Sequence, residues 1–155
     1  MLNKKKKKIL FLDFDGVINS VRSATAFGGF PWNVKRESLK LFDPVGIALI
    51  KKVCDKTGCK IVLSSTWRMC FTCKELSEAL DLPIIDTTPR LHKSRGYEIG
   101  EWLIKNKPEV FAIIDDDGDV LKKQLPFFVK TNNKNGVMFE DYLRLLEILH
   151  VREVK

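Results

Sequence analysis

A chain of 155 residues can bury one substantial core and forms one domain. Its 45% apolar and 30% charged residues are ordinary for a globular protein, and no apolar run approaches the roughly 20 residues that a bilayer span requires. The formal charge of +7 invites a nucleic-acid partner, but five of the 27 basic residues crowd into Lys4–Lys8, leaving the rest nearly balanced against 20 acids.

Residues 1–7 read as a basic, disordered tail, and residues 8–155 as a single domain. The first predicted strand, Lys8–Asp13, is an apolar run that ends on two carboxylates, Asp13 and Asp15, followed by Gly16. A buried parallel strand delivers such acids to the sheet edge where open α/β folds bind ligands. Gly16 permits the turn that lets both carboxylates converge. Like charges held this close call for a hard divalent cation. A flap is expected at Asn19–Glu37, with Phe27-Gly28-Gly29-Phe30-Pro31-Trp32 at its centre. Helix Pro44–Thr57 follows, its apolar residues recurring at helical spacing.

The second strand, Lys60–Ser64, ends on Ser64-Ser65-Thr66, hydroxyls suited to phosphoryl oxygens. Helix Cys73–Leu80 and strand Pro83–Asp86 come next, then Lys93-Ser94-Arg95-Gly96 at the start of helix Ser94–Lys105. The fourth strand, Val110–Ile114, runs into Asp115-Asp116-Asp117-Gly118-Asp119, of which Asp117 and Asp119 are placed to cap the short helix that follows. Strand Phe127–Lys130 and helix Phe139–Val151 complete the chain. Alternating strands and helices predict a parallel sheet with right-handed crossovers. Cys70-x-x-Cys73 with Cys54 and Cys59 makes four thiols, but Cys59 enters the second strand where Cys70 lies past its other end, so one tetrahedral zinc is not expected. His92 and His150 have no metal-ligand spacing, and Trp67 and Trp102 read as core.

The order acid pair, hydroxyl, base, acid pair, with three of the four at strand ends, resembles the haloacid dehalogenase-like (HAD) superfamily of phosphohydrolases from Lys8 to about Leu149. The fold implied is α/β: a three-layer, Rossmann-like HAD domain whose parallel five-stranded sheet runs 3-2-1-4-5, with helices on both faces. The intervals Asp15–Ser64 and Ser65–Lys93 hold no folded cap domain, so the site is expected to be open. By the same resemblance, Asp13 is the nucleophile that forms an aspartyl-phosphate, and Asp15 is the general acid and then the base. Asp13, Asp116, Asp115 and the Asp15 backbone carbonyl surround Mg2+, Asp115 orienting water or the basic residue of the third motif. Ser64 binds the transferring oxygens, and a Lys or Arg neutralises them.

That cation departs from the usual pattern. The superfamily generally uses lysine, which favours Lys93, whereas alignment on Arg-Gly-x-Glu-Ile favours Arg95, and both stand as candidates. Leu63-Ser64-Ser65-Thr66-Trp67-Arg68, Arg95-Gly96-Tyr97-Glu98-Ile99 and Lys130-Thr131-Asn132 look like a small capless branch associated with RNA repair proteins. That branch is similar to the phosphatase half of polynucleotide kinase-phosphatases. The resemblance implies a phosphorylated substrate at a polynucleotide end or on a nucleotide, with Ser65 near the phosphate. Trp32 and Phe30 offer faces for a base, and Lys35, Arg36, Arg68 and Arg90 offer charge for backbone phosphates. A phosphoprotein phosphatase, or a non-catalytic binding module on the same fold, are the competing readings. A cytoplasmic protein with no membrane partner is expected, and the oligomeric state stays open.

Overall fold

The computed structural model describes residues 7–29 and 34–150. In chain order the elements are β1 (Lys8–Leu12), α1 (Val21–Phe27), α2 (Pro44–Thr57), β2 (Lys60–Leu63), α3 (Cys73–Leu80), β3 (Ile84–Thr87), α4 (Arg95–Asn106), β4 (Val110–Asp115), β5 (Phe128–Lys130) and α5 (Phe139–Ile148). Short 3-10 helices lie at Arg36–Leu41, Thr66–Met69 and Lys122–Phe127. β1 is buried throughout from Ile9 to Leu12, because parallel neighbours cover both edges and helices cover both faces. β2 and β4 flank it, β3 and β5 close the outer edges, and the sheet order is 3-2-1-4-5, as the family resemblance implied.

The side-chain period of two splits β1 between two cores. Leu10 and Leu12 join Ile61, Leu63, Ala112 and Ile114 against α2, α3 and α5, through residues such as Ile50, Val53, Leu76 and Leu145. Ile9 and Phe11 join Val62 and Ile113 against Ile99 and Trp102 of α4. Helices therefore cover both faces, and among the described residues no second folded unit stands over the carboxyl edge of the sheet.

Several boundaries differ from expectation. The segment expected as a flap holds α1, whose Ser20 cap accepts the Ser23 N–H at 3.2 Å and whose first amides donate to the carbonyls of Asn133 and Lys134. Arg22 reaches Asp43 at 2.9 Å, so α1 is tied to the start of α2. Phe30 and Trp32 lie outside the described residues. The start of the basic tail, residues 1–6, does too, whereas the Lys7 carbonyl already accepts the Glu109 N–H at 2.9 Å. α5 stops at Ile148, short of the expected Val151, where the Lys8 ammonium donates to the Leu149 carbonyl at 3.0 Å and satisfies the helix end. Cys54 and Cys59 sit with Sγ atoms 3.7 Å apart as free thiols, and Cys70 is exposed. No described helix is long and apolar enough to cross a membrane.

Candidate active site

Hydrogen bonds continue one step past the strand ends and fix the site's geometry. The Asp13 N–H donates to the Ile114 carbonyl (3.1 Å), Ser64 N–H to Leu12 (3.1 Å) and Thr131 N–H to Asp115 (3.0 Å). Asp13, Ser64 and Asp115 are thereby held side by side at the carboxyl edge. Beyond Asp13 the chain turns tightly: the Phe14 carbonyl accepts from Val17, Ile18 and Asn19, each at 3.0 Å. Gly16 has a φ of +81°, and a Cβ there would lie 2.3 Å from the Asp116 Cγ. Glycine is thus required both for the turn and for the approach of Asp116. Thr131 Oγ1 pins the turn from the β5 side by donating to the Gly16 carbonyl at 2.8 Å.

Carboxylate oxygens of Asp13, Asp115 and Asp116 all lie within 4.8 Å of one another. Arg95 Nη1 bridges two of them, at 3.2 Å from Asp13 Oδ1 and 2.7 Å from Asp115 Oδ2, while the other Asp115 oxygen accepts the Asp117 N–H at 3.0 Å. Burial pushes the Asp115 carboxyl up to about 8, and the charge of Asp13 adds to the shift. Burial and Asp13 also raise Asp116. For Arg95, burial works against the charge, but Asp13 and Asp115 outweigh it and raise its proton affinity. The crowding that disfavours three carboxylates is what a hard cation with an all-oxygen ligand set would relieve, so Asp13, Asp115 and Asp116 fit one.

Of the two basic residues that the sequence left open, the structure brings Arg95 to Asp13. Lys93 instead lies over the Tyr97 ring, 4.3 Å from its centroid, and makes no ion pair with the acids among the described residues. The start of α4 explains why. The Gly96 N–H donates to the Asp119 carbonyl (2.8 Å) and the Arg95 N–H to Asp119 Oδ2 (3.1 Å), so Asp119 serves α4 rather than the helix after it. A Cβ at Gly96 would sit 2.5 Å from the Leu121 nitrogen. Only glycine lets α4 begin this close to the β4 loop, with buried Gln124 completing the contact by donating to the Gly96 carbonyl at 2.8 Å.

Asp15 faces another way. Its carboxylate accepts from Asn19 Nδ2 (2.7 Å) and takes the Trp67 Nε1–H on both oxygens (3.1 Å), so it is not one of the three clustered acids. Burial pushes Asp15 up to about 6; the two donors hold it lower than burial alone would, and Asp13 and Asp116 add to the rise. Trp67, expected in the core, is fully buried there, and its indole N–H also serves Asp15, a role with no signal in the sequence.

The β2 end supplies Ser64, fully buried, whose Oγ has no partner among the described residues. An orphaned hydroxyl beside the acid cluster suits an incoming oxyanion. Ser65 is fully buried, and its Oγ accepts the Trp67 N–H at 3.3 Å as a helix cap. Arg68, expected on backbone phosphates, is turned inward. It pairs with Glu98 at 2.7 Å, both side chains nearly solvent-free, and donates to the carbonyls of Ser64 (2.8 Å) and Ser65 (2.9 Å). Its Nη1 braces the loop that carries Ser64 and Nη2 holds Glu98, while the buried Nε has no partner among the described residues.

A family model described as the HAD domain in Swiss Army Knife RNA repair proteins matches residues 9–142, nearly all of the chain and every residue of this cluster. No curated protein and no solved structure matches the chain.

Proposed function

The chain belongs to the family of HAD domains in Swiss Army Knife RNA repair proteins, and from that premise we propose that it is a Mg2+-dependent phosphomonoester hydrolase acting on nucleic-acid ends or nucleotides. The observation that carries the reading is the convergence of Asp13, Asp115 and Asp116 on one point with Arg95 bridging two of them. Asp13 Oδ attacks phosphorus, the bond to the leaving oxygen breaks, and an aspartyl-phosphate forms. Asp15, with its affinity for a proton raised to about 6, gives a proton to the leaving oxygen and then takes one from the water that hydrolyses the intermediate. Arg95 sets its charge against the equatorial oxygens, and the free Ser64 hydroxyl donates to one of them. Asp13, Asp115 and Asp116 would hold Mg2+, which supplies charge neutralisation at the phosphoryl group.

The open carboxyl edge favours a substrate larger than a free phosphate ester, and the family's occurrence in RNA repair proteins points to a nucleic-acid end. The test is a panel of 3′- and 5′-phosphorylated oligonucleotides, mononucleotides and phosphopeptides, with Mg2+ and after chelation. The expected result is release of phosphate from an oligonucleotide or nucleotide, lost on chelation. Faster turnover of phosphopeptides would transfer the substrate assignment to protein, and no turnover of any ester would leave a binding module.

A further inference from the structure

Beside Arg95 lies a cavity of about 280 Å³ whose walls include Thr66, Met69, Arg90, His92 and Lys93. Its floor is the buried Arg68–Glu98 pair. The charges here are unequally committed. Arg95 is neutralised by Asp13 and Asp115, and Arg68 by Glu98. Arg90 forms no ion pair among the described residues, and Lys93 meets the Tyr97 ring. Two acids, Asp117 and Asp119, also line the cavity, and Asp119 is engaged by the Arg95 N–H.

The segment carrying these cations is fixed rather than loose. Thr88 N–H donates to the Leu63 carbonyl at 3.0 Å, and Leu91 N–H to Glu98 Oε1 at 2.9 Å. One buried carboxylate, Glu98, therefore anchors both this segment and, through Arg68, the loop of Ser64. Along the segment, Pro89 and Leu91 line a separate cavity beside α4, whereas Arg90, His92 and Lys93 line the one beside Arg95. Such sorting places Arg90, His92 and Lys93 on the cavity that Arg95 also lines.

We propose that this cavity is a second phosphate subsite, which receives the phosphate one nucleotide unit away from the phosphoryl group at Asp13. The inference rests on the phosphatase reading and names its substrate class: a nucleotide or strand end that carries a neighbouring phosphate. Arg90 and Lys93 supply the charge, and the Arg68–Glu98 pair holds their segment at a set distance from Ser64.

Binding by full-length Asp13→Asn protein separates this subsite from the chemistry. Calorimetry with Mg2+ would compare adenosine 3′,5′-bisphosphate with the 3′- and 5′-monophosphates. The bisphosphate is expected to bind about tenfold more tightly, with the preference shrinking as salt rises. Adding Arg90→Ala should remove most of the preference, and Arg90→Lys should retain most of it. A dinucleotide with a terminal phosphate that shares the preference would assign the subsite to strand backbone; a preference confined to the bisphosphate would assign it to small nucleotides. Equal binding of mono- and bisphosphates, or a preference that survives Arg90→Ala combined with Lys93→Ala, would overturn the subsite. Wild-type hydrolysis of p-nitrophenyl phosphate reads the phosphatase assignment separately. Turnover with equal binding removes the subsite alone, and preferential binding without any turnover removes the phosphatase alone.

Discussion

The ends of β1 and β4 and the end of β2 lie next to each other, yet they solve opposite electrostatic problems. At β1 and β4, three carboxylates share one small volume with a single arginine, and burial plus mutual repulsion pushes Asp115 up to about 8. At β2 the buried charges are paired: Arg68 Nη2 has Glu98 and Nη1 reaches the carbonyls of Ser64 and Ser65, while Nε has no partner among the described residues. The first region carries an excess of negative charge that a cation would relieve; the second sets its one buried carboxylate against a guanidinium. Arg95 and Arg68 make the contrast sharp, since one guanidinium faces the acid cluster and the other faces Glu98 and the Ser64 loop.

Substitutions should therefore split by region. The largest effect is expected from Asp13→Asn, which should lower turnover by more than about a thousandfold because an amide cannot attack phosphorus. The same change removes one charge from the cluster, so the melting temperature without metal should rise. Arg95→Ala should lower kcat by about a hundredfold or more, and Arg95→Lys should recover part of it, with folding cooperativity retained. Arg68→Ala should do the reverse, costing about 3–5 kcal/mol of stability by leaving Glu98 buried and unpaired. If Arg68→Ala left the melting temperature unchanged while abolishing turnover, the division between the two regions would collapse.

The smallest effect concerns pH. The folded Asp15 carboxyl titrates at about 6 against an ordinary 3.8, so folding favours its protonated form. That contribution is fully present below about pH 4 and is lost as pH rises through about 6. Without metal, wild type should lose stability relative to Asp15→Asn across that window, and the difference should level off above it. A difference that is flat from pH 4 to 7 would show that Asp15 titrates normally.

The central features were legible because they are local. An apolar strand ending in Asp13-Phe14-Asp15-Gly16, and a second ending in Asp115-Asp116, reveal both the parallel sheet and the acid cluster at its carboxyl edge. What was not legible depends on tertiary contact. α1 has too short an apolar pattern to announce itself and is held by distant carbonyls at Asn133 and Lys134. Lys93 and Arg95 could not be separated without the close approach of Gly96 to Leu121, which sets where α4 begins. Arg68 looked like a phosphate ligand because sequence shows a charge and not the Glu98, thirty positions away, that neutralises it. Trp67 showed its apolar body but not the indole N–H turned to Asp15.

The most direct test of the account is to trap the covalent intermediate. Protein turning over a phosphorylated nucleotide with Mg2+ would be quenched in acid, reduced with borohydride and analysed by peptide mass spectrometry. An aspartyl-phosphate is reduced to homoserine, so the account predicts that modification at position 13 alone, dependent on substrate and absent from Asp13→Asn. Full turnover with no modification at position 13, or with modification at another acid of the cluster, would contradict it.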